Sequence, residues 1–222
     1  MQGRVYFYAI SAVLMWSTTA ALVKSLLTEI PTYEALFVSS LAGALFLIVM
    51  QLVRGGGRVF RAYDVRGYAA MAGLGFLGIF LYSGLYYYGL SQLTSQEACI
   101  LNFLWPMMIV LFAAFLLGER ITVRTAVAIL LSFSGVVALT LGGEGHAEGN
   151  AVMGMIACVL AAVCYGLFCV LNKRRNIDQT VMMVVAWGVT ALCSLPVTLI
   201  MEEWVTLSWT QWGGLLWLGI FI

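Results

Sequence analysis

Apolar residues gather into seven stretches, at 5–27, 32–53, 68–90, 96–117, 123–141, 151–171 and 180–201, separated by short polar, Gly- and Arg-bearing segments. A helix rises about 1.5 Å per residue, so about 20 apolar residues cross a hydrocarbon core of about 30 Å. Each stretch therefore predicts a membrane-spanning helix. An eighth apolar run begins near Trp209 and ends at Ile222; at about 14 residues it covers about 21 Å, too short to cross alone. The first stretch follows Arg4 as a signal peptide would, but it is too long for the apolar region of one and further spans follow. It reads as an uncleaved first helix, and the fold class expected is all-α, polytopic and membrane-embedded.

Composition strengthens this picture: 63% of the residues are hydrophobic and 9% charged, under half the charged fraction of a soluble domain. A net charge of +1 offers nothing to nucleic acid. The placement of charge says more than its sum. With the N-terminus in the cytoplasm, Arg4, Arg54, Arg58, Arg61, Arg66, Arg120, Arg124, Lys173, Arg174 and Arg175 all fall on the cytoplasmic side, and only Lys24 lies outside. Glu29, Glu34, Glu97, Glu144, Glu148, Glu202 and Glu203 then face outward. Cytoplasmic loops collect Lys and Arg, so a multi-pass cell-membrane protein with a cytoplasmic N-terminus is expected.

The chain also repeats itself. Residues 73–81 read GLGFLGIFL and residues 214–222 read GLLWLGIFI, identical at six of nine positions. They lie five helices apart, and an odd offset makes the second copy cross in the opposite sense, as in inverted-repeat transporters. Trp16 and Lys24 likewise match Tyr165 and Lys173 at one spacing. This divides the chain into a first five-helix repeat, 1–142, and an incomplete second repeat, 149–222. Ten helices are expected in a full protein, with about seven and a half present here, so the reading frame is expected to continue past Ile222.

Candidate chemistry is sparse. The five cysteines, Cys99, Cys158, Cys164, Cys169 and Cys193, lie in apolar runs without a CxxC pair or a nearby His, and read as buried small hydrophobes. The single His146 sits in a polar loop; neither metal nor cofactor is called for. Trp16, Trp105 and Trp187 lie near the middle of their spans, with Tyr82 close to that depth, whereas membrane Trp normally gathers at the interfaces. Such aromatic groups suit either a cavity for a flat or cationic solute or helix packing. Pro106 lies mid-helix, where it frees the carbonyl of Asn102, four residues back. Asn102, Trp105 and Pro106 thus make a candidate binding corner, and Ser17, Thr18 and Thr19 a polar cluster at similar depth. The expected substrate-binding set is Trp16, Tyr82, Asn102, Trp105, Tyr165 and Trp187. Glu97, at the outer end of the fourth helix, is the carboxylate available for coupling. Lys24 reads as snorkelling to the interface, and Glu119 with Arg120 as a pair fixing the turn into the fifth helix.

The stretch TSQEACILNFLWPMMIVLFAAFLLGERIT, from Thr94 to Thr122, resembles the fourth helix and following turn of the EamA-type drug/metabolite transporter superfamily, in its central proline, apolar run and terminal GER. The LNFLWP portion resembles the branch that includes aromatic amino-acid exporters. The resemblance implies two inverted five-helix repeats around a central cavity and export of small metabolites by alternating access, with amino acids or similar amphipathic solutes leading. Phosphorylated sugars fit less well, because no Arg or Lys sits at mid-membrane to meet a phosphate. The competing classes are an intramembrane enzyme, which lacks an HExxH or GxSxG motif here, and a non-transporting membrane interaction protein. The expected partners are a small-molecule substrate and the lipid bilayer.

Overall fold

The computed structural model describes residues 2–54, 56–142, 150–175 and 177–221; Glu144, His146 and Glu148 lie outside them. Eleven α-helices follow one another among the described residues, with no strand. They are α1 (Gln2–Ser17), α2 (Thr19–Leu26), α3 (Thr32–Val53), α4 (Val65–Gly75), α5 (Tyr82–Gln92), α6 (Ser95–Asn102), α7 (Trp105–Leu117), α8 (Val123–Gly142), α9 (Ala151–Arg175), α10 (Gln179–Met201) and α11 (Trp209–Phe221). Joined end to end, they make six segments long and apolar enough to cross a membrane: Tyr6–Leu26, Thr32–Val53, Val65–Gln92, Ser95–Leu117, Ala151–Arg175 and Gln179–Met201. The seventh expected span is α8, a helix of 20 residues.

Three spans are discontinuous within the membrane, each for a local reason. The first breaks at Thr18, where the hydroxyls of Ser17 and Thr18 bond back to the carbonyls of Leu14 and Met15, both at 2.7 Å. Such back-bonding competes with the helical ladder and bends it. The third carries a π-helical segment, Phe76–Leu81, between α4 and α5. The fourth breaks at Phe103 and Leu104, because Pro106 sits at the start of α7 and has no N–H for the carbonyl of Asn102. The amide of Leu104 turns back to Leu101 O at 3.2 Å instead.

Helices in lipid gain little from hydrophobic association and rely on close packing. The most extensive interface joins α3 to α10; α3 also meets α11, and α9 packs on α5 and α7. Where α3 crosses α11, a Cβ on Gly43 would stand 2.6 Å from the carbonyl oxygen of Gly219, so only glycine permits that approach. The buried residues form two clusters. One is built on Val23, Leu36, Leu90, Leu93, Ala161 and Leu215, the other on Met71, Leu74, Phe168, Val181, Met182 and Ala186.

Several polar contacts differ from expectation. Lys24 does not snorkel: its Nζ donates to the carbonyls of Leu90 at 2.8 Å and Leu93 at 3.0 Å, satisfying the end of α5, where the last carbonyls have no helical partner. Glu119 pairs with Lys173 of α9 at 2.8 Å instead of Arg120, because α7 ends on Gly118 with φ 69° and the chain turns there toward α9. Cys158 is buried, whereas Cys99, Cys164, Cys169 and Cys193 are only half-buried.

Candidate functional site

Four of the six expected binding residues come together, each supplied by a different helix. Tyr82 opens α5, directly after the π-helical segment; Asn102 closes α6, Trp105 opens α7, and Tyr165 lies within α9. The Tyr82 and Tyr165 rings meet at 4.9 Å between centroids, and Trp105 stands edge-on to Tyr165 at 5.4 Å. Tyr86 stacks on Tyr82 at 6.1 Å and Phe168 meets Tyr165 at 5.9 Å. Offset and edge-to-face arrangements of this kind are the favourable ones for aromatic quadrupoles. A π-helical turn re-aims the side chains that follow it, and here those are Tyr82 and Tyr86.

The polar part of the cluster is Asn102. Its Nδ2 donates to the Tyr82 hydroxyl at 3.1 Å, while its Oδ1 is buried without a hydrogen-bond partner. The freed carbonyl of the same residue lies beside the break. Thr19 Oγ1 is a second buried oxygen without a partner. α2 and α6 are both eight residues long and pack on one another. They run in opposite directions, so Thr19 and Asn102 stand at the membrane-interior ends of neighbouring half-helices. Leaving a buried acceptor unmade costs about 1–3 kcal/mol, and broken helices at this depth persist where protein, water or a solute supplies the missing partners. The arrangement offers aromatic faces for a flat or cationic group and oxygen acceptors for an N–H or ammonium donor.

Trp16 and Trp187 are not part of this cluster. Trp16, on the last turn of α1, is 51% exposed, beside the break where Trp217 Nε1 donates to Thr18 Oγ1 at 3.1 Å. Trp187 lines a cavity of about 360 Å³ with Phe46, Met183 and Gly219, between α3, α10 and α11. Glu97 completes a capping box on α6: its carboxylate accepts from Thr94 N at 3.0 Å and Thr94 Oγ1 at 2.8 Å, and its own amide donates to Thr94 Oγ1 at 3.2 Å. That reciprocal arrangement satisfies helix-end donors and occupies the carboxylate locally. Among the described residues no group of His, Cys, Asp or Glu could hold a metal.

Sequence reasoning passed over Glu34, treating it as one more outer carboxylate. It is wholly buried, with Oε2 accepting from Val205 N at 3.1 Å and Oε1 left without a partner. Glu202 reciprocates, accepting from Tyr33 N at 3.0 and 3.1 Å and from Glu34 N at 3.0 Å. The signal available in the sequence was a Glu in the first turn of a helix after Pro31, a position the helix dipole favours.

The profile of the EamA-like transporter family matches residues 3–141. The chain is 29% identical over 213 residues to the aromatic amino acid exporter YddG of Ancylobacter novellus, covering 95% of this chain and 72% of that protein. It is 27% identical over 214 residues to the pseudopaline exporter CntI of Pseudomonas aeruginosa, covering 96% of this chain and 72% of that one. The uncharacterized transporter YetK of Bacillus subtilis is 36% identical over 100 residues, a match spanning 44% of this chain and 30% of YetK. A solved crystal structure, 27% identical, superimposes with a TM-score of 0.73 over 95% of this chain and 71% of that one.

Proposed function

The chain belongs to the EamA-like transporter family, and we propose that it exports small amphipathic metabolites, amino acids foremost, by alternating access around Tyr82, Asn102, Trp105 and Tyr165. One observation carries this reading: Asn102 Oδ1 is a buried acceptor without a partner, set against aromatic faces at a break in a membrane-spanning helix. A solute ammonium or ring N–H supplies the missing donor, and the rings supply stacking and cation–π attraction. The names of the two exporter relatives support export and an amphipathic cargo.

The distribution of basic residues supports a cytoplasmic N-terminus on the same reading. Units 1–142 and 149–222 act as inverted partners, between which the central cluster opens alternately to either side. Uptake of a labelled amino-acid panel into inside-out vesicles tests the proposal. Saturable, substrate-selective flux that falls on replacing Trp105 by Ala is the expected result. No flux for any member of the panel would remove amino acids as the cargo.

A further inference from the structure

A second cavity lies at the opposite end of the third span from the cytoplasmic basic residues. It measures about 240 Å³ and is lined by Thr32, Tyr33, Phe80, Gly84, Tyr88 and Glu202. Its walls come from the start of α3, the end of the π-helical segment, α5 and the end of α10. The Tyr33 and Phe80 rings meet at 6.4 Å with their planes 37° apart, and Gly84 leaves the wall open: a Cβ there would meet Tyr33 at no closer than 3.7 Å.

The charge of this cavity is one-sided. Glu202 is in its wall, and Glu34, next to Tyr33 in the chain, is a second and wholly buried carboxylate with an unpartnered oxygen. Among the described residues the single ion pair is Lys173 with Glu119, so no basic side chain bridges to either carboxylate. The nearest outer cation in the sequence, Lys24, is committed to the carbonyls of Leu90 and Leu93. The backbone amides of Tyr33 and Glu34 hold the Glu202 carboxylate in place at the wall, and among the described residues no basic side chain pairs with it. Aromatic faces beside a fixed carboxylate attract an organic cation, and this volume, below the usual range of about 300–1,000 Å³ for drug-sized ligands, suits a small amine.

We propose that this cavity is an outer binding station for the organic ammonium group of a small aromatic or aliphatic amine, with Glu202 as its counter-charge and Tyr33 and Phe80 as its aromatic walls. Its place in the export route rests on the transporter reading above; its ligand class does not. A solute leaving the central cluster would meet a second site that matches the same ammonium before release.

The test uses the protein in phosphatidylglycerol nanodiscs, which contain no ammonium headgroup, with phenethylamine as the probe and 3-phenylpropionate as its anionic counterpart. Saturable phenethylamine binding is expected, weakened about tenfold by Glu202→Gln, which keeps an oxygen for the amides of Tyr33 and Glu34, and several-fold by Phe80→Leu. The anion is expected to bind neither form. Equal phenethylamine affinity in wild type and Glu202→Gln, or no saturable binding in wild type, overturns the station. If Glu202→Gln does not fold, Phe80→Leu decides by the same criterion. Loss of probe binding in phosphatidylethanolamine discs would give the cavity to a lipid headgroup and overturn the solute assignment. Counterflow of amino acids in the same preparations is read separately: binding without counterflow sinks the transporter reading alone, and counterflow without Glu202-dependent binding sinks the station alone.

Discussion

The side-chain amide of Asn102 donates to the hydroxyl of Tyr82 at 3.1 Å, and that bond decides which end of the amide is left over. With Nδ2 bonded to Tyr82, the side-chain atom left without a partner is the acceptor Oδ1, and on the proposed reading the site favours a solute that brings a donor. Tyr82→Phe removes the anchor and lets the amide rotate. A net hydrogen bond contributes about 1 kcal/mol, which corresponds to about a fivefold change in affinity. KM for the best-transported solute is expected to rise by about that factor, with the maximal rate nearly unchanged. Asn102→Leu, which deletes the acceptor itself, is expected to cost more. An unchanged KM in Tyr82→Phe would show that the amide is oriented by something else.

Trp105 and Trp16 are expected to separate on mutation, although both lie mid-span. Trp105 stands edge-on to Tyr165 at 5.4 Å, a contact contributing about 0.5–1.5 kcal/mol beyond simple burial. Trp105→Ala is therefore expected to lower both thermal stability and solute affinity. Trp16 is half exposed, and Trp16→Ala is expected to change stability by under about 0.5 kcal/mol. Melting curves of the two variants in one detergent check the ranking. A large loss for Trp16→Ala would mean that its exposed face is covered in the membrane.

Much of the architecture was legible because lipid imposes one rule on every span: about 20 apolar residues and a satisfied backbone. Pro106 announced the break in the fourth span, since proline lacks an N–H. The breaks in the first and third spans were not announced. Ser17 and Thr18 bend a helix only when their hydroxyls turn to backbone carbonyls, and that choice depends on neighbours such as Trp217. The π-helical segment at Phe76–Leu81 has no composition of its own. Depth along a span could be counted, so Tyr82, Asn102, Trp105 and Tyr165 were nameable. Which face each helix turns inward depends on packing across helices far apart in sequence, and so Trp16 and Trp187 were named with them. Glu34 was missed for the converse reason, because its burial is created by Val205 and Glu202, some 170 residues away.

Glu97 is expected to behave as a cap. Its carboxylate is held by Thr94 through both backbone and hydroxyl, so Thr94→Ala should cost about 1 kcal/mol of stability. Glu97→Gln, which preserves the box, should leave both the melting temperature and the dependence of flux on a pH gradient unchanged. Loss of gradient-driven flux in a stable Glu97→Gln protein would restore the carboxylate to a coupling role.

Lys24 closes the end of the helix that begins with Tyr82. Its ammonium donates to Leu90 O and Leu93 O from another span, where α5 would otherwise present bare carbonyls to a half-buried environment. Hydrogen bonds to a charged group contribute about 1.5–3 kcal/mol when a partner is removed, so Lys24→Met, which keeps an apolar stem, is expected to lose about 2 kcal/mol. Lys24→Arg keeps the charge but widens the head, and should retain part of that stability. A side chain that merely reached for the interface would tolerate Met within about 0.5 kcal/mol. Amide exchange at Leu90 to Thr94 in the Met variant distinguishes the two. Faster exchange confined to the end of α5 locates the loss at the carbonyls that Lys24 covers, and leaves the Tyr82 end of the helix, with its bond to Asn102, protected.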